Sequence, residues 1–360
     1  EVFYKDWPNL SLKERIRHIT VTLESSLNLP YLEALEILKP VSVEFSGLFH
    51  FIFSDYVQNF GLNHQIASLN ALELFTQNST SEFAIRVFLQ KDPETIKHKM
   101  LEWSLSDNHH LRRLASEGVR PKLPWATHID WIAQQPDWIR PIIENLKFDN
   151  SRYVQKSVAN LLNDFSKTQP EWLLDLADQW LQYKRPETNW IIKHALRTLL
   201  KSANTQALAL IGYGEVNHIQ LANWCLPKQV KIGQKLAGKV LIKSDQTLGL
   251  LRIEYALHFL RATQKPYKKV FKIAESNYEM TQKEFDLTHD FKRLTTRNYL
   301  PGLHKIELII NGQIFKKDCF ELENGNYNIQ HSTTHKYLKS AIAVQFNIPL
   351  TQVKIVKDNN

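Results

Sequence analysis

Three stretches of this chain can be laid over one another in one register: His110-Leu111-Arg112-Arg113-Leu114-Ala115-Ser116-Glu117, Tyr153-Val154-Gln155-Lys156-Ser157-Val158-Ala159-Asn160 and Trp190-Ile191-Ile192-Lys193-His194-Ala195-Leu196-Arg197. Arg113, Lys156 and Lys193 then coincide, at separations of 43 and 37 residues. Apolar positions around them recur at helical spacing, as in Leu161, Leu162 and Phe165 or Leu173, Leu174, Leu176 and Ala177. Each stretch follows another helical segment, near 94–106, 138–148 and 171–182, so the unit is a helix pair of roughly 40 residues. Such a pair cannot bury its apolar face alone. Stacking of successive pairs is therefore the expected fold.

In a stack of this kind the second helix of every pair is structurally equivalent, and its i and i+4 positions share one face. That face reads Arg113 and Glu117, Lys156 and Asn160, Lys193 and Arg197, with Asp164 one turn beyond Asn160. A face that is merely solvated has no reason to keep a cation in register, and in a solenoid such a row ordinarily lines the concave side, where extended ligands lie.

The texture changes near residue 225. All nine Trp residues, Trp7 to Trp224, precede it. Beyond it come period-two, β-branched segments at 230–233, 239–242, 269–273 and 305–310, the last leading into Asn311-Gly312, a type I′ hairpin signal. The expected fold class is thus multi-domain, an N-terminal all-α HEAT-like repeat solenoid over 1–225 followed by a small all-β sandwich over 226–322. Residues 323–360 form an extension, read as a short helix and a strand, of unassigned role. A length of 360 residues agrees with about two domains.

Charge divides at the same place. Residues 1–225 hold 23 Lys+Arg against 25 Asp+Glu, and residues 226–360 hold 22 against 12. Within the helical part, 110–201 is also basic, 14 against 10, an asymmetry expected of a polyanion binder. Cys225 and Cys319, 94 positions apart and outside any CxxC, argue against a disulfide framework or thiolate zinc site. No apolar run approaches the roughly 18 residues of a membrane span, and the first residues carry no secretion signal, so a cytoplasmic chain is expected. His109 and His110 diverge on a helix and no HExxH occurs, so neither metal nor cofactor is expected.

The segment Arg112-Arg113-Leu114-Ala115-Ser116-Glu117-Gly118-Val119-Arg120-Pro121-Lys122-Leu123-Pro124-Trp125 resembles the signature of the AlkC-type DNA alkylation repair enzymes, relatives of the HEAT-like-repeat glycosylase AlkD. The segments 153–164 and 190–201 agree with it. Residues 226–322 resemble the immunoglobulin-like domain of one AlkC branch, through Glu254-Tyr255-Ala256, Lys269-Val270-Phe271-Lys272, Thr296-Arg297 and Pro301-Gly302-Leu303-His304.

This resemblance implies a monofunctional DNA glycosylase that removes cationic alkylated bases, chiefly 3-methyladenine and also 3-methylcytosine, from double-stranded DNA, without a cofactor and as a monomer. It also implies a damaged base left largely stacked, with the immunoglobulin-like domain closing on the duplex. An N3-alkylated purine leaves readily, so the chemistry calls for a carboxylate that stabilises an oxocarbenium-like sugar and places a water. Glu117 is the first candidate and Asp164 the second, each among cations that would keep it ionised. Arg113, Lys156, Lys193 and Arg197 are assigned to phosphates, Arg120 likewise or to bracing its loop, and Arg297 to phosphate or minor groove. Trp125 and Trp190 are candidates for packing on deoxyribose or backbone, Tyr153 is a further DNA-binding candidate, and Asn160 is a candidate for donating to a sugar or phosphate oxygen. The residues alone also allow a non-catalytic scaffold for nucleic acid or an acidic protein, against which stands the carboxylate at 117, because a polyanion scaffold gains nothing from it.

Overall fold

The computed structural model describes residues 7–261, 267–292, 299–325, 327–329 and 353–355, and several of its helices start at caps that the sequence supplies. Ser11 and Glu14 form a reciprocal capping box, the Ser11 N–H donating to Glu14 at 2.7 Å, and open α1 (Leu12–Leu27). Next come α2 (Tyr31–Ser42), α3 (Phe51–Phe60), α4 (Gln65–Phe75) and α5 (Ile85–Lys91). Asp92 accepts from the Thr95 N–H and Pro93 fills the first position of α6 (Pro93–Ser104). The next helices are α7 (His109–Glu117), α8 (Asp130–Gln134), α9 (Arg140–Leu146), α10 (Arg152–Asp164), α11 (Pro170–Leu181), α12 (Pro186–Ala195), α13 (Arg197–Lys201) and α14 (Thr205–Leu210).

The repeat is visible in the packing. Helix α7 lies against α10 and α10 against α12, forming one layer of second helices, while α6 packs on α7 and α9, and α11 on α12. Val154, Val158, Leu161 and Leu162 turn the apolar stripe of α10 inward, and all are fully buried. Each such side chain contributes about 1.5–3 kcal/mol. Trp103 and Trp180 fill the same core at 1% exposure, their indole N–H groups donating to Glu73 at 2.7 Å and Glu144 at 3.0 Å.

The chain separates into two compact units, Glu1–Leu199 and Leu200–Asn360. The second is a sandwich built from β1 (Gln220–Cys225), β2 (Gln229–Lys231), β3 (Lys235–Lys243), β4 (Gly249–Phe259), β5 (Tyr267–Tyr278), β6 (Gln282–Asp290), β7 (Gly302–Ile310) and β8 (Gln313–Glu323). One sheet runs β1-β3-β6 and the other β2-β8-β7-β4-β5. Leu236, Val240, Ile253, Leu257, Leu287, Phe291, Leu308 and Phe320 fill the core between them. Asn311 and Gly312 take φ of 46° and 82° and close the two-residue β7–β8 hairpin, as their dipeptide predicts.

The unit begins earlier than the composition break suggests. Strand β1 is six residues upstream of 226 at its start, and it pairs with β3 because Leu221 and Trp224 have a sandwich core to pack on. Ala203 packs on Ala256 and Ile309, the outer side of β4 and β7, and a side chain at Gly312 would meet Leu208 and Thr205 at 2.9 Å. The segment from 200 therefore covers the sheet rather than extending the helical repeat. Of the extension, β9 (Tyr327–Ile329) and β10 (Val353–Ile355) pair in parallel; the expected short helix there lies outside the described residues.

Candidate active site and nucleic-acid interface

Helix α7 opens on Asn108, whose side chain accepts from the His110 N–H at 2.9 Å, and ends at Gly118. Gly118 is required by space, since a Cβ there would lie 2.7 Å from Ile85 Cγ2 and 3.0 Å from the Leu114 carbonyl. Glu117, the last residue of α7, is only 5% exposed. An ionised carboxylate at that depth needs partners. Glu117 Oε1 accepts from Arg120 Nη1 at 2.6 Å, and Oε2 accepts from Ser157 Oγ at 2.6 Å. Ser157, on α10, in turn accepts from Ser116 Oγ at 2.7 Å.

Arg120 ties the site together. Its Nε and Nη2 donate to Asp164 Oδ2 and Oδ1, each at 3.0 Å, while Nη1 reaches Glu117, so one planar guanidinium serves two carboxylates. Asp164 ends α10 and brings a residue 44 positions away onto the loop after α7. Burial pushes the Asp164 carboxyl above the usual range, and the Arg120 hydrogen bonds and charge oppose that rise. For Arg120, burial alone would lower the pKa, but Asp164 and Glu117 outweigh it and hold the guanidinium firmly protonated.

Glu82 completes the cluster and no sequence pattern had singled it out. It is 8% exposed, forms an ion pair with Arg113, and accepts from Thr80 Oγ1 at 2.8 Å. Its only local signal is that Thr80-x-Glu82 turn, which is too common to read as chemistry. Arg113 Nη1 also donates to Thr80 Oγ1 at 2.7 Å, its guanidinium lies 5.3 Å from the Tyr153 ring centre, and Nη2 stands 3.9 Å from Glu117. Three carboxylates thus meet two guanidiniums in direct contact, with the buried Arg86 guanidinium close by.

The geometry turns Arg113 away from the phosphate role expected for it and gives Arg120 the loop-bracing alternative of its two expected roles. Both guanidiniums are turned inward and engaged by carboxylates, with side-chain exposures of 14% and 9%. Arg120 is instead the brace of its loop and of both acids. Lys156 and Lys193 are exposed and have no ion pair among the described residues. Arg197 is half-buried, donating to the Asn160 side-chain oxygen at 3.0 Å and the His194 carbonyl at 2.8 Å, which leaves Asn160 acting as an acceptor. Trp125 is 70% exposed at a φ of 65°, its carbonyl accepting from Lys13 Nζ at 2.6 Å. Tyr153 is 41% exposed beside His109 and His110. Trp190 stacks on His194, and Arg152 sits 4.1 Å over its ring. Arg297 lies outside the described residues. Among the described residues no group of three or more His, Cys, Asp and Glu is arranged to hold a metal ion, and no helix is long and apolar enough to cross a membrane.

Comparison with known proteins places these residues in context. The sequence profile of the DNA alkylation repair enzyme family matches residues 76–199, a span from before Glu82 to beyond Arg197, and the profile of the YhaZ C-terminal Ig-like domain matches 220–324. The uncharacterized protein YhaZ of Bacillus subtilis (strain 168) is 47% identical over 321 residues, 89% of this chain and 89% of that protein. The Pseudomonas fluorescens alkylpurine DNA glycosylase AlkC, solved bound to DNA containing an abasic site analog, superposes with a TM-score of 0.81 at 33% identity, over 88% of this chain and 89% of that one.

Proposed function

The chain belongs to the DNA alkylation repair enzyme family, with YhaZ and AlkC, and on that premise we propose that it is a DNA glycosylase of base excision repair. It hydrolyses the N-glycosidic bond of cationic alkylated bases, chiefly 3-methyladenine and also 3-methylcytosine, in duplex DNA. The observation that carries this reading is the pair Glu117 and Asp164 held on one guanidinium. Neither acid is a free surface group, and both stay oriented by Arg120 before any substrate arrives.

The chemistry follows from what each group lacks. A base alkylated at N3 already bears positive charge and departs as a neutral molecule, so the enzyme needs little general-acid help. As the bond breaks, positive charge develops at C1′ of the sugar, and a fixed carboxylate lowers that barrier in a site of reduced dielectric. A carboxylate offers about four acceptor positions. Glu117 uses one on each oxygen, for Arg120 and Ser157, and so retains capacity to accept from a water and aim it at C1′. Lys156 and Lys193 contact phosphates, Trp125, Tyr153 and Trp190 pack on sugar and backbone, and the sandwich unit clamps the duplex.

The test is release of free base from methylated duplex DNA, resolved by chromatography, with a chelator present. Release of 3-methyladenine supports the reading and its independence of metal. Salt-sensitive binding without any released base would replace it with a nucleic-acid scaffold of the same fold.

A further inference from the structure

Arg86, at the start of α5, is 4% exposed, yet it makes no direct ion pair among the described residues. Its Nη1 donates to the carbonyls of Gly118 at 3.2 Å and Arg120 at 2.7 Å, and its Nη2 donates to the carbonyl of Thr127. Nε is buried with no hydrogen-bond partner. All three acceptors belong to the loop that follows α7. Within that loop the backbone makes few bonds of its own, from Arg120 N to Glu117 O, Ala126 N to Leu123 O, and Ile129 N to Pro121 O. The loop carries Arg120, which orients both acids, and Trp125, the exposed indole at its far end.

Burying a full positive charge without a carboxylate is costly, and a neutral donor could satisfy a carbonyl more cheaply. Burial, with the neighbouring Arg120 charge, pulls the Arg86 pKa down to about 10, while Asp164 and Glu82 act from a distance in the opposite direction. A guanidinium is nevertheless the one side chain that presents several donors in a rigid fork, which is what three carbonyls on one irregular loop require.

We propose that Arg86 is a positioning residue for base removal, clamping the Gly118–Thr127 loop so that Arg120 holds Glu117 and Asp164 in their reactive arrangement. The assignment rests on the glycosylase reading, and touches no substrate atom itself. Lysine at this position keeps the charge but reaches only part of the fork. Small displacements of a reacting group cost up to about a hundredfold in rate.

The experiment compares wild type, Arg86→Lys and Arg86→Ala on methylated duplex DNA, under single-turnover conditions, with binding measured separately on the same DNA. For the folded variants the expected result is a base-release rate lowered about 10- to 100-fold, with affinity, through Trp125 on the same loop, lowered by less than the rate. Added guanidinium should restore part of the rate to Arg86→Ala, an effect that a loss of packing does not produce. Arg86→Lys at the wild-type rate, or a rate loss in Arg86→Ala that guanidinium leaves untouched while only the melting temperature has moved, would overturn the assignment and leave the glycosylase reading standing. Wild-type protein that releases no base removes both.

Discussion

Glu117 and Asp164 share Arg120, yet their substitution should fail in different ways. Replacing Glu117 by Gln preserves size and one acceptor, and Arg120 keeps its two bonds to Asp164. The folded state should survive, while base release falls by at least about a hundredfold because the negative charge facing C1′ is gone. Duplex affinity should hardly change. Asp164→Asn, by contrast, leaves one acceptor for two donors of a guanidinium that is 7% exposed, so a buried N–H loses its partner at a cost of about 1–3 kcal/mol. A melting temperature lowered far more by Asp164→Asn than by Glu117→Gln, together with the reverse order for loss of rate in the folded fraction, is the expected pattern. Equal turnover by Glu117→Gln and wild type would end the catalytic assignment of Glu117.

At the scale of elements, the two exposed lysines on equivalent helices should behave as phosphate contacts and nothing more. Lys156 on α10 and Lys193 on α12 are exposed, whereas Arg113 at the same repeat position on α7 is drawn inward by Glu82. Each Lys→Ala change should weaken binding to any duplex alike and reduce the slope of log affinity against log salt by about 0.9. The repeat itself was legible because cation, apolar stripe and helix pair share one period, and the β7–β8 hairpin because Asn-Gly encodes its two positive φ values. The fork of Arg120 was not legible. It closes a contact 44 residues long between a loop and a helix end, and no periodicity reports where a loop arginine points. Helix α14 and β1 were also misplaced, since short apolar segments look alike whether they extend a solenoid or cover a sheet. In the sandwich, burial alone would raise the Glu275 carboxyl, but hydrogen bonds from Lys272 and Tyr213 and the charge of Arg252 bring it down to about 2. A carboxyl depressed by folding stabilises the fold above its unfolded value near 4.5 and ceases to do so as pH falls toward about 2. Chemical unfolding of wild type and Glu275→Gln should therefore differ at neutral pH, the difference shrinking as pH falls below about 4.5 and vanishing once it has passed below about 2.

Across the whole molecule, charge and structure divide at nearly the same point. Residues 1–199 hold 22 Lys+Arg against 24 Asp+Glu, and residues 200–360 hold 23 against 13. The acids that would act on the sugar and the larger share of free positive charge therefore reside in separate units. A division of this sort predicts that affinity and chemistry can be uncoupled by truncation, provided the cut respects the fold. Ending the chain at Leu199 removes the sandwich together with the segment that covers it. An end at 225 would instead retain α14 and β1 without the sheet they pack on, exposing Leu208, Ile219 and the unpaired edge of β1. The 1–199 protein should be soluble and the 1–225 protein prone to aggregate. The shorter protein should still release base in single turnover at low salt, because Glu82, Glu117, Arg120 and Asp164 all remain. Its affinity should be lower and its salt slope shallower, each lost phosphate contact removing about 0.9 from that slope. A slope equal to that of the full chain would mean that the basic unit does not touch the duplex, and its excess positive charge would need a different partner.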